Sequence, residues 1–111
     1  MWYAASLFFK SIHETEVEVP SLWEEIIVLV EADSQSEAKT VAEGIGRSKE
    51  HAYYVSNPHT HLLRWSFVQV ERIHSLKTDE WSSGVEVFSR FLRQSEAESL
   101  LTPLDDEPPR K

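Results

Sequence analysis

The hydrophobic positions of this chain follow a strand period over most of its length and a helical period over one central segment. Residues 26–30 are five consecutive aliphatic side chains, a run that favours a central strand with both faces at least partly covered. Next come four small or medium apolar residues at the spacing i, i+3, i+4 and i+7, namely Ala38, Val41, Ala42 and Ile45. These patterns predict a strand followed at once by a helix over residues 35–45.

Capping residues mark both ends of this helix. Ser34 stands three residues before Glu37, which is the spacing of a capping box that satisfies two backbone N–H groups at a helix start. Asp33 adds a negative charge where the helix dipole favours one. Gly46 offers the left-handed conformation that commonly closes a helix, so we expect the helix to end there.

Four other stretches have the apolar content of strands, and they cover residues 2–12, 52–56, 62–74 and 85–92. The acidic connection at residues 13–21 predicts that the strands on either side of it form a long hairpin. The turn residues 57–60 predict a second hairpin. Ser95 and Glu98 repeat the capping-box spacing and predict a short terminal helix.

The order of these elements, β-β-α-β-β-β-α, predicts an α+β fold with a mainly antiparallel sheet of about five strands and one main helix packed on one face. We expect residues 1–102 to form a single domain and the acidic, proline-rich residues 103–111 to be a disordered tail. The apolar stripe of the helix is too narrow to cover both faces of such a sheet. A curled sheet, the terminal helix or a second subunit could cover the other face, and we favour a homodimer.

The composition excludes several classes of function. The chain has 111 residues and no cysteine, which excludes thiol catalysis, zinc sites made of cysteine and disulfide frameworks. No basic segment precedes the first strand, and no apolar segment approaches the ~18 residues that a membrane-spanning helix needs. We therefore expect a soluble cytoplasmic protein that does not enter a membrane.

Charge is segregated along the chain. The formal net charge is −8, and no lysine or arginine lies between Lys10 and Lys39. This acidic segment predicts a surface that repels nucleic acid and attracts a basic protein partner. Trp65, Phe67 and Tyr53 could imitate the aromatic platform of RNA-binding sheets, but a pI near 5.0 without a basic cluster favours core packing instead.

Two adjacent carboxylates, Glu24 and Glu25, are the first candidates for acid–base chemistry. Neighbouring residues of a strand point to opposite faces, so these two side chains cannot flank one bond unless a bulge intervenes. We expect one of them to pair with an arginine of a neighbouring strand, for which there are three candidates, Arg64, Arg72 and Arg90.

His59 and His61 lie two residues apart, a spacing found in metal sites, and His51 could approach from the paired strand. Two histidines in a polar turn without a fixed acidic ligand are more often ordinary exposed residues, so no metal and no cofactor is predicted. No serine lies in a Gly-x-Ser-x-Gly motif, and no glycine-rich loop precedes a helix. The sequence contains no recognisable catalytic motif.

Four segments together resemble a family of small bacterial proteins that is known only as a domain of unknown function. They are an opening WYAA strand, a WEE strand that leads into a capped helix, the segment RWSFVQVERI, and a GVEV strand that carries Ser89 and Arg90. The resemblance covers residues 2–92. It implies a free-standing cytosolic domain and transfers no catalytic residue.

Our first hypothesis is a non-enzymatic protein-binding module, such as an immunity or antitoxin-type neutraliser or a small adaptor. We expect such a module to bind through its acidic N-terminal surface, and the candidate binding residues are Trp23, Glu24, Glu25, Arg64, Trp65 and Arg90. The alternative is a small-molecule-binding homodimer with a pocket at the sheet face, lined by Trp23, Trp65, Glu24 and Arg64. A hydrolase that uses carboxylates is the third hypothesis, although no paired geometry supports it.

Overall fold

A computed structural model describes residues 1–77 and 80–102. The elements, in chain order, are β1 (Trp2–Glu14), β2 (Trp23–Glu31), α1 (Gln35–Ser48), β3 (His51–Val55), β4 (His61–Ser75) and α2 (Gln94–Leu101). The predicted tail, residues 103–111, lies outside the described residues.

The strands form one antiparallel sheet in the order β2-β1-β4-β3. The predicted α+β fold with a mainly antiparallel sheet is therefore confirmed, and so are both predicted hairpins. The described residues contain four strands, and the segment 85–92, predicted as a strand, has an irregular backbone. Its apolar alternation is that of a strand, but no strand of the sheet pairs with it.

The central pair of the sheet is β1 and β4, whereas β2 lies at an edge. The expectation that the aliphatic run of β2 forms a central strand is therefore wrong. An aliphatic run predicts that both faces of a strand are at least partly covered. It does not predict whether both backbone edges of the strand are paired. By contrast, the apolar residues of the central strand β1 are interrupted by Ser6, Lys10 and Ser11.

Two irregularities in the pairing of β1 with β4 change which face the β4 side chains take. The register shifts between Ser6 and Leu7 and again between Phe8 and Phe9, so β4 has an additional residue at each position. Val70 consequently lies opposite Leu7 on the helix side, although simple alternation along β4 places it on the other side. Because the second shift compensates for the first, Phe67 and Ile73 share one face, as simple alternation predicts.

The helix α1 packs on one face of the sheet through small residues. Ala38, Ala42 and Gly46 are its buried positions, and Gly46 lies directly against the ring of Phe67 on β4. The helix continues to Ser48, so Gly46 is a contact residue and the expected termination at that glycine is wrong. Beneath the helix lies the core, whose largest members are Tyr3, Leu7, Phe9, Leu63 and Trp65.

The opposite face of the sheet is covered in part by residues 81–90. The ring of Trp81 packs edge-on against Trp2, and Arg90 forms an ion pair with Glu25. Ala4 and Ser6, which point to this face, are fully buried. The terminal helix α2 has no buried residue and does not contact another described helix or strand, so the cover comes from the segment that precedes α2.

Candidate protein-binding face

The face of the sheet opposite α1, which we call the open face, exposes several large apolar side chains beyond the part covered by residues 81–90. Trp23 is 55% exposed and Tyr54 is 73% exposed. The exposed apolar residues of the open face come from all four strands and are Ile12, Trp23, Ile27, Leu29, Tyr54 and Val68. Strand alternation places those of β2 here, because Tyr3, Leu7 and Phe9 and their cross-strand partners occupy the helix side.

An open depression of about 380 Å³ on this face is lined by Phe8, Trp23, Val68 and Gln69. The rings of Phe8 and Trp23 meet edge to face with their centroids 6.3 Å apart. The ammonium group of Lys10 lies 5.6 Å from the centre of the Trp23 ring, within the range of a cation–π interaction. Trp23 is thus held by neighbours on β1 while much of its surface stays accessible.

The six candidate binding residues are divided between the two faces of the sheet. Trp23, Glu25, Arg64 and Arg90 lie on the open face, whereas Glu24 and Trp65 lie on the helix side. Trp65 is buried and its Nε1–H donates a hydrogen bond of 3.1 Å to the Tyr53 hydroxyl. The sheet backbone separates the two groups, so the pocket that was to be lined by Trp23, Trp65, Glu24 and Arg64 does not form from these four residues.

The acidic and basic members of the open face are largely paired with each other. Arg90 donates hydrogen bonds from two guanidinium nitrogens to the two oxygens of Glu25, both at 3.2 Å. The hydroxyl of Ser6 donates to the same carboxylate. Arg64 forms an ion pair with Glu14 on the adjacent strand. Glu25 therefore pairs with one of the three predicted arginines, but Arg90 lies in the irregular segment before α2 and not on a neighbouring strand as predicted.

The histidines form a hydrogen-bonded chain at the far end of β1. His61 Nδ1 lies 2.7 Å from the carbonyl oxygen of His59, which can only accept, so His61 carries its proton on Nδ1. His61 Nε2 then accepts from Nδ1 of His13 at 2.7 Å. His59 Nε2 lies 2.9 Å from the Thr15 hydroxyl. Burial, together with the nearby imidazole of His61, lowers the pKa of His13.

These hydrogen bonds between histidines link neighbouring strands, and the side chains do not converge on one point as metal ligands do. Among residues 1–77 and 80–102, no group of three histidine or carboxylate side chains is arranged to hold a metal ion. His51 pairs with Trp65 at the other end of β3 and takes no part in these hydrogen bonds between histidines. Sequence reasoning missed His13, because nothing in its local sequence reveals that β1 ends beside His61.

Three exposed glutamates remain without a basic partner among the described residues. Glu16 and Glu18 lie in the connection between β1 and β2, and both are exposed. Neither makes a hydrogen bond or ion pair to any residue that the structure describes. Glu31 is likewise exposed at the end of β2. Negative charge without a described partner therefore lies in the connection between β1 and β2, where Glu16 is close to Tyr54, and at the end of β2.

Residues 2–89 match the model of the family described as Domain of unknown function (DUF4288). The chain belongs to this family. The DUF4288 match includes the whole sheet, α1 and most of the segment that crosses the open face, and it ends before Arg90 and α2.

The resemblance to a family of unknown function is therefore confirmed, and the chain itself is a DUF4288 domain whose activity is uncharacterised. Comparison with curated proteins and with solved structures gave no significant match. Within the described residues, no helix is long and apolar enough to cross a membrane.

Proposed function

We propose that this DUF4288 protein is a non-enzymatic, cytoplasmic protein-binding module and that the open face is its binding surface. The observation that carries the proposal is the group of large apolar side chains exposed together on one side of the sheet, with Trp23 and Tyr54 the most accessible aromatic members. Large apolar side chains exposed on one face of a domain, with polar residues around them, typically mark an interaction site.

The residue types also suit a protein interface. Aromatic side chains dominate binding energy at interfaces because they bury a large area at little cost in conformational entropy. Trp23 is held by Phe8 and Lys10, so little order has to be imposed on it when a partner binds. The ion pairs between Arg90 and Glu25 and between Arg64 and Glu14 would supply a polar surround to this apolar centre.

The bordering acidic residues favour a basic partner. Glu16, Glu18 and Glu31 are exposed, and their charges would attract lysine or arginine side chains at the rim of a complex. Such rim contacts are screened by salt, so association should slow as ionic strength rises. A neutraliser of the immunity or antitoxin type, or a small adaptor, acts by covering a surface of its partner and needs no catalytic group.

The test is retention of a partner by matched variants. Purified wild-type protein and Trp23→Ser would be immobilised and exposed to lysate of the organism that encodes the chain, and retained proteins would be identified by mass spectrometry. The control is Val41→Ser, which removes a partly exposed apolar side chain from α1 on the other side of the sheet. We expect a basic protein to be retained by wild type and Val41→Ser and lost with Trp23→Ser.

Titration of the purified partner would then give its affinity at two salt concentrations. A retained set that is the same for all three proteins would contradict the proposal, and so would a partner whose affinity is the same at both salt concentrations. Circular dichroism of each variant would establish that the fold is intact.

The depression beside Trp23 favours a second candidate, a small-molecule-binding homodimer with the ligand at the sheet face. Its volume of about 380 Å³ lies within the usual range of ligand pockets, and its walls combine two aromatic rings with the amide of Gln69. A thermal-shift screen with small aromatic compounds would test this function. A compound that stabilises wild type but not Gln69→Ala would support it, and the absence of any such compound would favour the protein-binding role.

A further inference from the structure

The outer side of β2 is a long backbone edge without a partner. This strand is nine residues long and lies at the end of the sheet, with only β1 beside it. None of the backbone hydrogen bonds among the described residues reaches the outer side of β2. An edge of this length is a template for pairing with another strand.

Two hydrogen bonds reveal which residues direct their backbone groups outward. Ala32 N–H donates to the Met1 carbonyl at 3.0 Å, and Ser11 N–H donates to the Leu22 carbonyl at 2.9 Å. Both pairs belong to the same unbroken register of β1 with β2. Hydrogen-bonded pairs alternate along an antiparallel ladder, so the even-numbered residues of β2 face β1. The residues with outward-facing N–H and C=O groups are Trp23, Glu25, Ile27, Leu29 and Glu31.

We propose that β2 pairs antiparallel with β2 of a second copy of this chain, with Ile27 at the two-fold axis. In this register Ile27 lies opposite Ile27 of the other copy, Glu25 lies opposite Leu29, and Trp23 lies opposite Glu31. All nine residues are paired, and no carboxylate lies opposite another. Ile27 and Leu29, which are 45% and 48% exposed, become neighbours across the new contact.

Other registers are less favourable because they place carboxylates opposite each other or leave part of β2 unpaired. A two-fold axis at Glu25 places that carboxylate opposite itself, and an axis at Val28 places Glu25 opposite Glu31. An axis at Leu29 places Glu25 opposite Asp33, just beyond the strand. An axis at Ile26 opposes no carboxylates but leaves the last two residues of β2 outside the overlap with β2 of the other copy. Only the axis at Ile27 combines full overlap with the absence of opposed charges.

This interface uses the backbone edge of β2, whereas the proposed protein-binding surface uses side chains of the open face. Trp23, Ile27 and Leu29 contribute to both, with their backbone groups at the edge and their side chains on the open face. The dimer would have one continuous sheet of eight strands, with two open faces side by side. Because each copy has a net charge of −8, repulsion between copies opposes association. Added salt should therefore strengthen the dimer, whereas it should weaken a complex with a basic partner.

The absence of cysteine from the chain allows a direct test of the register. Residues opposite each other in a hydrogen-bonded pair have Cα atoms about 5.5 Å apart, which falls within the range of about 4.4–6.8 Å that a disulfide requires. Under mild oxidation Ile27→Cys should give a covalent dimer on a non-reducing gel. The control is Leu29→Cys on the same edge. Its two thiols would lie about four residues apart along the strands, roughly 14 Å, so it should stay monomeric.

A second variant tests the same contact without a thiol. Proline at position 27 removes an N–H that points away from β1, so the internal ladder is preserved while the centre of the proposed contact is lost. Sedimentation of wild-type protein at about 100 µM should show a dimer. Ile27→Pro should remain a monomer at this concentration and at one about ten times higher.

A wild-type protein that is monomeric at that concentration would overturn the proposal. Equal cross-linking of Ile27→Cys and Leu29→Cys, or cross-linking of Leu29→Cys alone, would also overturn it. If Ile27→Pro fails to fold, the two cysteine variants and the wild-type sedimentation still decide the outcome. None of these results depends on whether the open face binds a basic protein, so the two proposals can fail separately.

Discussion

Arg90 crosses the open face of the sheet to reach Glu25, and the guanidinium binds both carboxylate oxygens at 3.2 Å. The two residues are separated by 65 positions in the chain. The hydroxyl of Ser6, fully buried in the central strand, donates to the same carboxylate. This arrangement connects the irregular segment before α2 to the sheet.

Loss of the Arg90 guanidinium should release that segment. Both side chains are about three-quarters buried, and a bidentate ion pair in that setting contributes about 1 kcal/mol. We expect Arg90→Ala to lower the free energy of unfolding by about this amount and to speed proteolysis within residues 81–93. Urea denaturation and limited proteolysis would measure both effects. Lys39→Ala, on the exposed side of α1, is the control and should match wild type.

Gly46 and Gly44 make a matched pair within α1. A Cβ atom at Gly46 would lie 2.5 Å from Cδ1 and 2.8 Å from Cζ of the Phe67 ring, whereas a Cβ atom at Gly44 meets nothing within 4 Å. We expect Gly46→Ala to destabilise the fold by about 1–3 kcal/mol through overpacking. Gly44→Ala should stabilise it by about 0.5–1 kcal/mol, because alanine favours the helix.

Thermal or urea unfolding of the two glycine variants would measure these changes. Similar effects at the two positions would show that α1 does not approach β4 as closely as the position of Phe67 indicates.

The N-cap at the start of α1 gives a third prediction. Ser34 Oγ accepts a hydrogen bond from the N–H of Glu37 at 3.1 Å, and the Glu37 carboxylate accepts one from the N–H of Asp33 at 3.2 Å. Ser34→Ala should cost about 1 kcal/mol, since one N–H of the first turn loses its acceptor. Ser36→Ala, two residues further on, removes no side-chain hydrogen bond and should be neutral or slightly stabilising. A cost at Ser36 equal to that at Ser34 would argue against the cap.

The pair of His13 and His61 should make stability depend on pH. The pKa of His13 is lowered in the folded protein, first by burial and then by His61, so the unfolded chain binds a proton there more readily. Stability from this residue is therefore complete above the unfolded pKa of about 6.5 and falls as the pH decreases through the folded pKa. Urea denaturation at pH 7.5, 6.5 and 5.5 would measure the decline.

His13→Gln should reduce that decline, because glutamine keeps an N–H donor for His61 and cannot take up a proton. Equal pH dependence of wild type and His13→Gln would contradict the prediction.

Local chemistry was sufficient to predict the elements themselves. The spacing of Ala38, Val41, Ala42 and Ile45 predicted α1, and Ser34 caps its first turn by accepting from the N–H of Glu37. The second bond of the predicted capping box does not form, because the Glu37 carboxylate accepts from Asp33 and not from Ser34. Alternation predicted that Glu24 and Glu25 point to opposite faces, and they do. These properties depend on residues that are neighbours in sequence, so the pattern of a short segment determines them.

Arrangement in space was not predictable in the same way. The positions of β2 at an edge, of Val70 beside Leu7, of His13 beside His61 and of Arg90 beside Glu25 all depend on pairings between distant segments. Gly46 illustrates the difference, since its sequence context indicates a helix end while its tertiary role is contact with Phe67.

The sequence by itself determined the α+β class, the antiparallel hairpins, the main helix and its cap, because hydrophobic period and capping chemistry act over a few residues. Only the tertiary structure decided the strand order, the extent of the open face and the outward direction of the β2 edge. Those features arise from register and from the competition between long-range contacts, which no local pattern encodes. The surface for which we propose binding is of this second kind: its residues come from four strands and become neighbours only when the sheet forms.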